Sequence, residues 1–137
     1  PNMGAPWTAG VAMPGGDFPV DGVDDLHAKL AYTYPFLTQA WISRMIKSYG
    51  TESFDILKDA ISVDDLGQDF GATLFAQEVN WLMQNEYACT GEDVVWRRSK
   101  LGLRMTEKEI KTLDGWMHQT STAQKKNAAV SRKIGER

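Results

Sequence analysis

The sequence predicts an all-α fold: a compact irregular bundle of five or six helices preceded by an extended Gly/Pro-rich arm. Apolar residues recur at three- and four-residue spacing through most of the chain after residue 22, and strand-like alternation is absent. Residues 1–22, PNMGAPWTAGVAMPGGDFPVDG, hold five glycines and four prolines, a composition that stops both helix and ladder. At 137 residues and 42% hydrophobic content the chain fits one domain around a single core. The expected layout is an arm over residues 1–22, a helical domain over 23–124 and a basic tail over 125–137, frayed or loosely docked.

Val23, Leu26 and Leu30 share one helical face behind the acidic start Asp24 and Asp25, and Pro35 ends that helix. FLTQAWISRMIKSYG (36–50) sets Leu37, Trp41, Ile42, Met45, Ile46 and Tyr49 on a broad face, with Gly50 placed to close the helix in a left-handed conformation. Thr51 can cap a short helix whose Phe54, Leu57 and Ile61 face the core. SVDDLGQDFG (62–71) reads as a loop. A fourth helix over residues 72–87 presents Phe75, Val79, Leu82 and Met83, and the next position of that stripe is Glu86, the wrong chemistry for a core. Thr90 with Asp93 opens a fifth helix that stops at Gly102, its seam being Val94, Arg98 and Leu101. Thr106 and Glu109 form a capping box for the last helix, whose apolar period Ile110, Leu113, Trp116, Met117 then fades into QKKNAAVSRKIGER.

Composition narrows function before any motif does. The chain lacks an apolar run of membrane-spanning length, and PNMGAPWTAG lacks the layout of a signal peptide, so a soluble intracellular chain is expected. Cys89 is the single cysteine, and two histidines far apart in sequence make no zinc motif. Charge is uneven: residues 1–93 carry 14 acids and 4 bases, residues 94–137 carry 11 bases and 4 acids. Such asymmetry fits either a basic half folded back on an acidic one or a face for anionic lipid or nucleic acid.

MPGGDF (13–18) has paired glycines but neither the spacing nor the Lys-Ser/Thr of a phosphate loop, and a turn that bends the arm is the favoured alternative. Asp64, Asp65 and Asp69 could supply oxygen to a divalent cation, although their spacing is not that of a calcium loop and solvated acids at helix starts are commoner. Five tryptophans serve best as core or interface anchors; Trp96 is the one beside arginines. No catalytic motif is present in these 137 residues.

Arg97 and Arg98 carry the sharpest expectation. Neighbours on a helix point about 100° apart, so they cannot share a task. Arg97 follows Asp93 by four residues and is expected in a surface pair contributing about 0.3–0.5 kcal/mol. Arg98 sits in the apolar seam, Glu86 on the apolar stripe of the preceding helix. The two misfits suggest a buried or half-buried ion pair locking helix four to helix five, costing about 3–5 kcal/mol to break if truly buried. The rival expectation, both arginines exposed with Lys100 and Arg104 on a nucleic-acid face, is the weaker one.

PWTAGVAMPGGDF, YPFLTQAWISRMIKSYG, DLGQDFG and EDVVWRRSKLGL, in that order, resemble the C-terminal domain of bacterial aerobic FAD-dependent glycerol-3-phosphate dehydrogenases. The resemblance covers about residues 6–116; its most diagnostic part is RRSKLG with Glu86 and Asp93 upstream, and relatives tend to carry Thr where this chain has Ser99. It implies a parent flavoenzyme that oxidises sn-glycerol 3-phosphate to dihydroxyacetone phosphate and passes electrons through FAD to quinone. The parent would be peripheral on the cytoplasmic face of the bacterial inner membrane, and would be a homodimer. Delivery of electrons to oxygen instead remains open. The flavin-binding and catalytic residues of such enzymes belong to a larger N-terminal part, so no catalytic, cofactor or metal role is carried onto this segment. The segment would be a non-catalytic helical cap whose arm, with Pro6, Trp7, Pro14 and Phe18, docks on the missing FAD and substrate domain, and no nucleic acid is expected. The alternative is an autonomous helical binding or regulatory module that uses its basic half for anionic lipid or nucleic acid.

Overall fold

The computed structural model describes residue 13 and residues 15–135, and these are mostly helical, as expected. Five α-helices occur among them: α1 Val23–Thr33, α2 Gln39–Tyr49, α3 Ser53–Leu57, α4 Ala76–Asn85 and α5 Glu107–Gly135. One short hairpin departs from the all-helical expectation, β1 Asp69–Gly71 paired antiparallel with β2 Leu74–Phe75. The chain divides into two units, one ending at Asp65 and one beginning at Leu66.

In the first unit α1 buries Leu26 and Leu30 but leaves Val23, the first residue of the helix, exposed although it shares their face. Tyr34 follows the helix, is buried, and donates its hydroxyl to the Lys58 carbonyl at 2.8 Å. Thr38 caps α2, its hydroxyl accepting from the Trp41 N–H, and Trp41, Ile42, Met45, Ile46 and Tyr49 are buried as the period requires. Gly50 closes α2 at φ 55°, ψ −127°, a glycine conformation different from the expected left-handed helical one. Its Cα lies against the Gly15 carbonyl, which accepts from the Thr51 N–H at 3.0 Å. Thr51 is therefore not a helix cap: residues Gly50–Glu52 form a 3₁₀ turn, and Ser53, fully buried, donates its hydroxyl to the Gly50 carbonyl. Because α3 ends at Leu57, Ile61 falls beyond the helix and is exposed.

The segment expected as a loop forms a 3₁₀ turn, Val63–Leu66, which ends on the first residue of the second unit, and then the hairpin. Ala72 and Thr73 occupy the two-residue connection with φ 50° and 65°, the signs a type I′ turn demands. Phe70 points from β1 onto Trp116 of α5, ring centroids 5.3 Å apart. The hairpin displaces the start of α4 from residue 72 to Ala76; Val79 and Leu82 are buried. The capping box at Thr106 and Glu109 forms: Glu109 accepts from the Thr106 N–H at 2.7 Å, and the Thr106 hydroxyl from the Glu109 N–H at 3.3 Å. From there α5 runs 29 residues, roughly 43 Å at about 1.5 Å per residue. Leu113 and Met117 are its deepest anchors, and residues 122–132 are exposed. The stretch expected as a frayed or loosely docked tail is helical as far as Gly135.

Candidate functional site

The chemistry worth following lies between Glu86 and Arg104, within the second unit. Glu86 does not extend the α4 stripe, because α4 stops at Asn85 and Glu86 is its C-cap. Tyr87 then turns to φ 55°, and the Ala88 N–H reaches back to the Leu82 carbonyl at 3.2 Å. Thr90 and Asp93 cap the next helical segment reciprocally. The Thr90 hydroxyl accepts from the Asp93 N–H at 3.1 Å, and the Asp93 carboxylate accepts from the N–H groups of Cys89 and Thr90, each at 3.1 Å. These bonds, the Cys89 amide first, hold the Asp93 carboxyl below the usual carboxylate range, with the Arg97 charge adding less.

Residues Asp93–Arg98 form a π-helical turn, which the α-helical pattern does not reveal. Ser99 closes it, its N–H at 2.9 Å and its hydroxyl at 2.7 Å both donating to the Val94 carbonyl five residues back. In an α-helix Arg98 would lie beneath Val94; the wider turn puts Ser99 there instead and rotates Arg98 outward. Its Nη1 meets Glu86 Oε2 at 2.9 Å, with the two side chains 42% and 39% exposed. The expected partners therefore meet at the surface of the second unit, where the cost for a truly buried pair does not apply. Arg97 Nη1 lies 3.1 Å from Asp93 Oδ1, with the arginine 80% exposed.

After Arg98 the chain reverses through Lys100 at φ 56° and enters a 3₁₀ turn, Leu101–Leu103. This brings Gly102 beneath the Trp96 indole. A Cβ on Gly102 would meet ring atoms Cε2, Cδ2 and Cζ2 at 2.6–2.7 Å.

The other sequence candidates separate. Asp65 accepts from the N–H groups of Ile61 and Ser62, which pull its carboxyl below the ordinary range, and Asp69 accepts from the Gly71 N–H. Both acids thus serve turns, and no cluster of three metal-ligating side chains occurs among the described residues. Gly15 packs at the end of α2, so the glycine pair has a structural task in the first unit. A hollow of about 420 Å³ lies beside β1 and the first turns of α5, but its Glu109 is engaged in the capping box. Of the four residues expected to dock the arm, Phe18 is half-buried, and Pro6, Trp7 and Pro14 lie outside the described residues. Among the described residues the two strands, three and two residues long, do not lead through a glycine-rich turn into a helix, the arrangement of a dinucleotide-binding fold.

Residues 7–126 match the family described as the C-terminal domain of alpha-glycerophosphate oxidase. The chain belongs to that family. Among curated proteins, this family member is 39% identical over 102 residues to a glycerol-3-phosphate dehydrogenase of Pseudomonas aeruginosa, covering 74% of the chain and 20% of the relative. It is 33% identical over 115 residues to the aerobic glycerol-3-phosphate dehydrogenase of Escherichia coli, covering 84% and 23% respectively. A D-erythritol 1-phosphate dehydrogenase of Brucella abortus is 31% identical over 116 residues, 85% of the chain and 23% of the relative. The chain thus spans about a fifth to a quarter of the length of the curated relatives it matches. Those relatives are oxidoreductases, and the π turn with its two ion pairs falls inside the family match.

Proposed function

We propose that this chain is the non-catalytic C-terminal helical domain of a larger FAD-dependent enzyme that oxidises glycerol 3-phosphate to dihydroxyacetone phosphate. The family match over residues 7–126 carries this reading, supported by relatives named for that substrate in two bacterial genera. Within the domain, the Glu86–Arg98 and Asp93–Arg97 pairs act as structural staples around the π turn, and the arm with Pro6, Trp7, Pro14 and Phe18 contacts the remainder of the polypeptide. In the whole enzyme FAD takes hydride from C2 of the substrate; its site and the substrate's belong to the part outside this chain. Electrons pass to a membrane quinone, and the parent is a homodimer bound peripherally on the cytoplasmic face of the membrane. Oxidation of D-erythritol 1-phosphate is the second reading, favoured by the 31% identity to the Brucella abortus enzyme.

The test is to express the complete polypeptide that contains this chain and measure dye reduction with glycerol 3-phosphate and with D-erythritol 1-phosphate, alongside the flavin absorbance. Bound flavin and turnover of glycerol 3-phosphate are expected. A colourless protein inert toward both substrates would overturn the reading, and preference for the erythritol ester would replace it with the second. Oxygen uptake against quinone reduction decides the acceptor.

A further inference from the structure

Trp96 is fixed on one side and open on the other. Its indole lies over the bare backbone of Gly102, yet the residue remains 48% exposed, and Leu103 beside Gly102 is 84% exposed. Arg97, Lys100 and Arg104, close to them in sequence, are exposed, and residues 94–104 contain four bases and no acid. Asp93 answers Arg97 and Glu86 answers Arg98, whereas among the described residues no carboxylate is paired with Lys100 or Arg104. Tyr87, also exposed, follows the Glu86 that holds Arg98.

Such a surface is prepared for contact. Packing against Gly102 has already restricted the indole, so covering its open face would cost little further side-chain entropy. Tryptophan and arginine are also the residues that most often dominate interface energetics. The length of the relatives indicates the occupant, since more than three quarters of each lies outside the matched segment. We infer that the Trp96–Leu103 face docks onto the remainder of the same polypeptide, on an apolar hollow rimmed by carboxylates that meet Lys100 and Arg104. This rests on the reading of the chain as one domain of a larger dehydrogenase. An indole held in place by the backbone of Gly102 suits a protein partner with a matching hollow.

Hydroxyl-radical footprinting read by mass spectrometry tests the inference on this 137-residue chain and on the complete polypeptide. Trp96 and Leu103 should be modified in the chain alone, with buried Trp41 protected as the sign of a folded sample, and should lose that modification in the complete polypeptide. Leu103→Glu should restore labelling of Trp96 there, and Lys100→Glu with Arg104→Glu should do so without altering any apolar side chain. Equal labelling of Trp96 in the two proteins overturns the inference. Protection that disappears on dilution assigns the face to a second copy, and protection that needs anionic vesicles or DNA assigns it to those; either result also overturns it. Dye reduction by the same unaltered preparation judges the enzyme reading separately. Protection without turnover retains the docking face and removes the activity, and turnover without protection does the reverse.

Discussion

Replacing Gly102 with alanine asks whether the Trp96 ring depends on bare backbone beneath it. The new methyl would stand 2.6–2.7 Å from three ring atoms, against roughly 3.5–4.0 Å for ordinary carbon contact, so the ring has to move. Backbone strain is not involved, because Gly102 is not among the glycines at positive φ, and an alanine at a compatible site contributes about 0.4–1 kcal/mol through the unfolded chain. Being half-exposed, the indole can swing into solvent, at the cost of the half it now buries. With about 150–250 Å² for a fully buried tryptophan and roughly 25 cal/mol per Å², that forfeits about 2–3 kcal/mol. The expected net destabilisation is about 1–2.5 kcal/mol, read from urea unfolding by far-ultraviolet circular dichroism. In a Trp96→Ala background the same substitution should be neutral or mildly stabilising. An equal cost in both backgrounds would refute the stacking argument.

Two further outcomes follow from the surrounding bonds. A double-mutant cycle of Glu86→Gln and Arg98→Met should give a coupling of about 0.2–1 kcal/mol that shrinks in high salt, and a salt-insensitive coupling above about 3 kcal/mol would show the pair to be desolvated after all. Asp93→Ala should cost about 0.5–2 kcal/mol at neutral pH through loss of its cap. The Asp93 pKa is lowered from 3.8 in the folded state, so its charged form contributes stability above that value and loses it as pH falls through the lower folded pKa. The difference between Asp93→Ala and the parent chain should therefore narrow in acid; a gap unchanged at pH values well below 3.8 would contradict the carboxylate's role.

Where a pattern spans several turns, the sequence was a good guide. The apolar face of α2 and both capping boxes appear at the predicted residues, because spacing and side-chain acceptors are local properties. The hairpin leaves no mark in the sequence because strands of three and two residues are too short to show a period, and its turn residues are Ala72 and Thr73 where Asn-Gly would be the signal. The apolar period carries Ile61 onto a helix that ends four residues earlier, at a boundary no glycine or proline marks. Partnership between Glu86 and Arg98 is legible as two misfits on apolar stripes. Their exposure is not legible, since a hydrogen bond reaching back five residues has no signature in composition. The continuation of α5 past Met117 reflects the good helix formers Ala, Gln, Lys and Arg on a face that needs no core.

The π turn also fixes how this stretch tolerates changes in length. Because it holds one residue more per turn than an α-helix, a deletion within Asp93–Arg98 can be absorbed by reverting to α-helical pitch, whereas an insertion has no such reserve. The reversion would swing every later side chain around the axis, returning the second arginine to the buried seam and carrying the indole away from Gly102. The spare residue thus sets an azimuth: it aims one arginine, one tryptophan and the reversal that follows them.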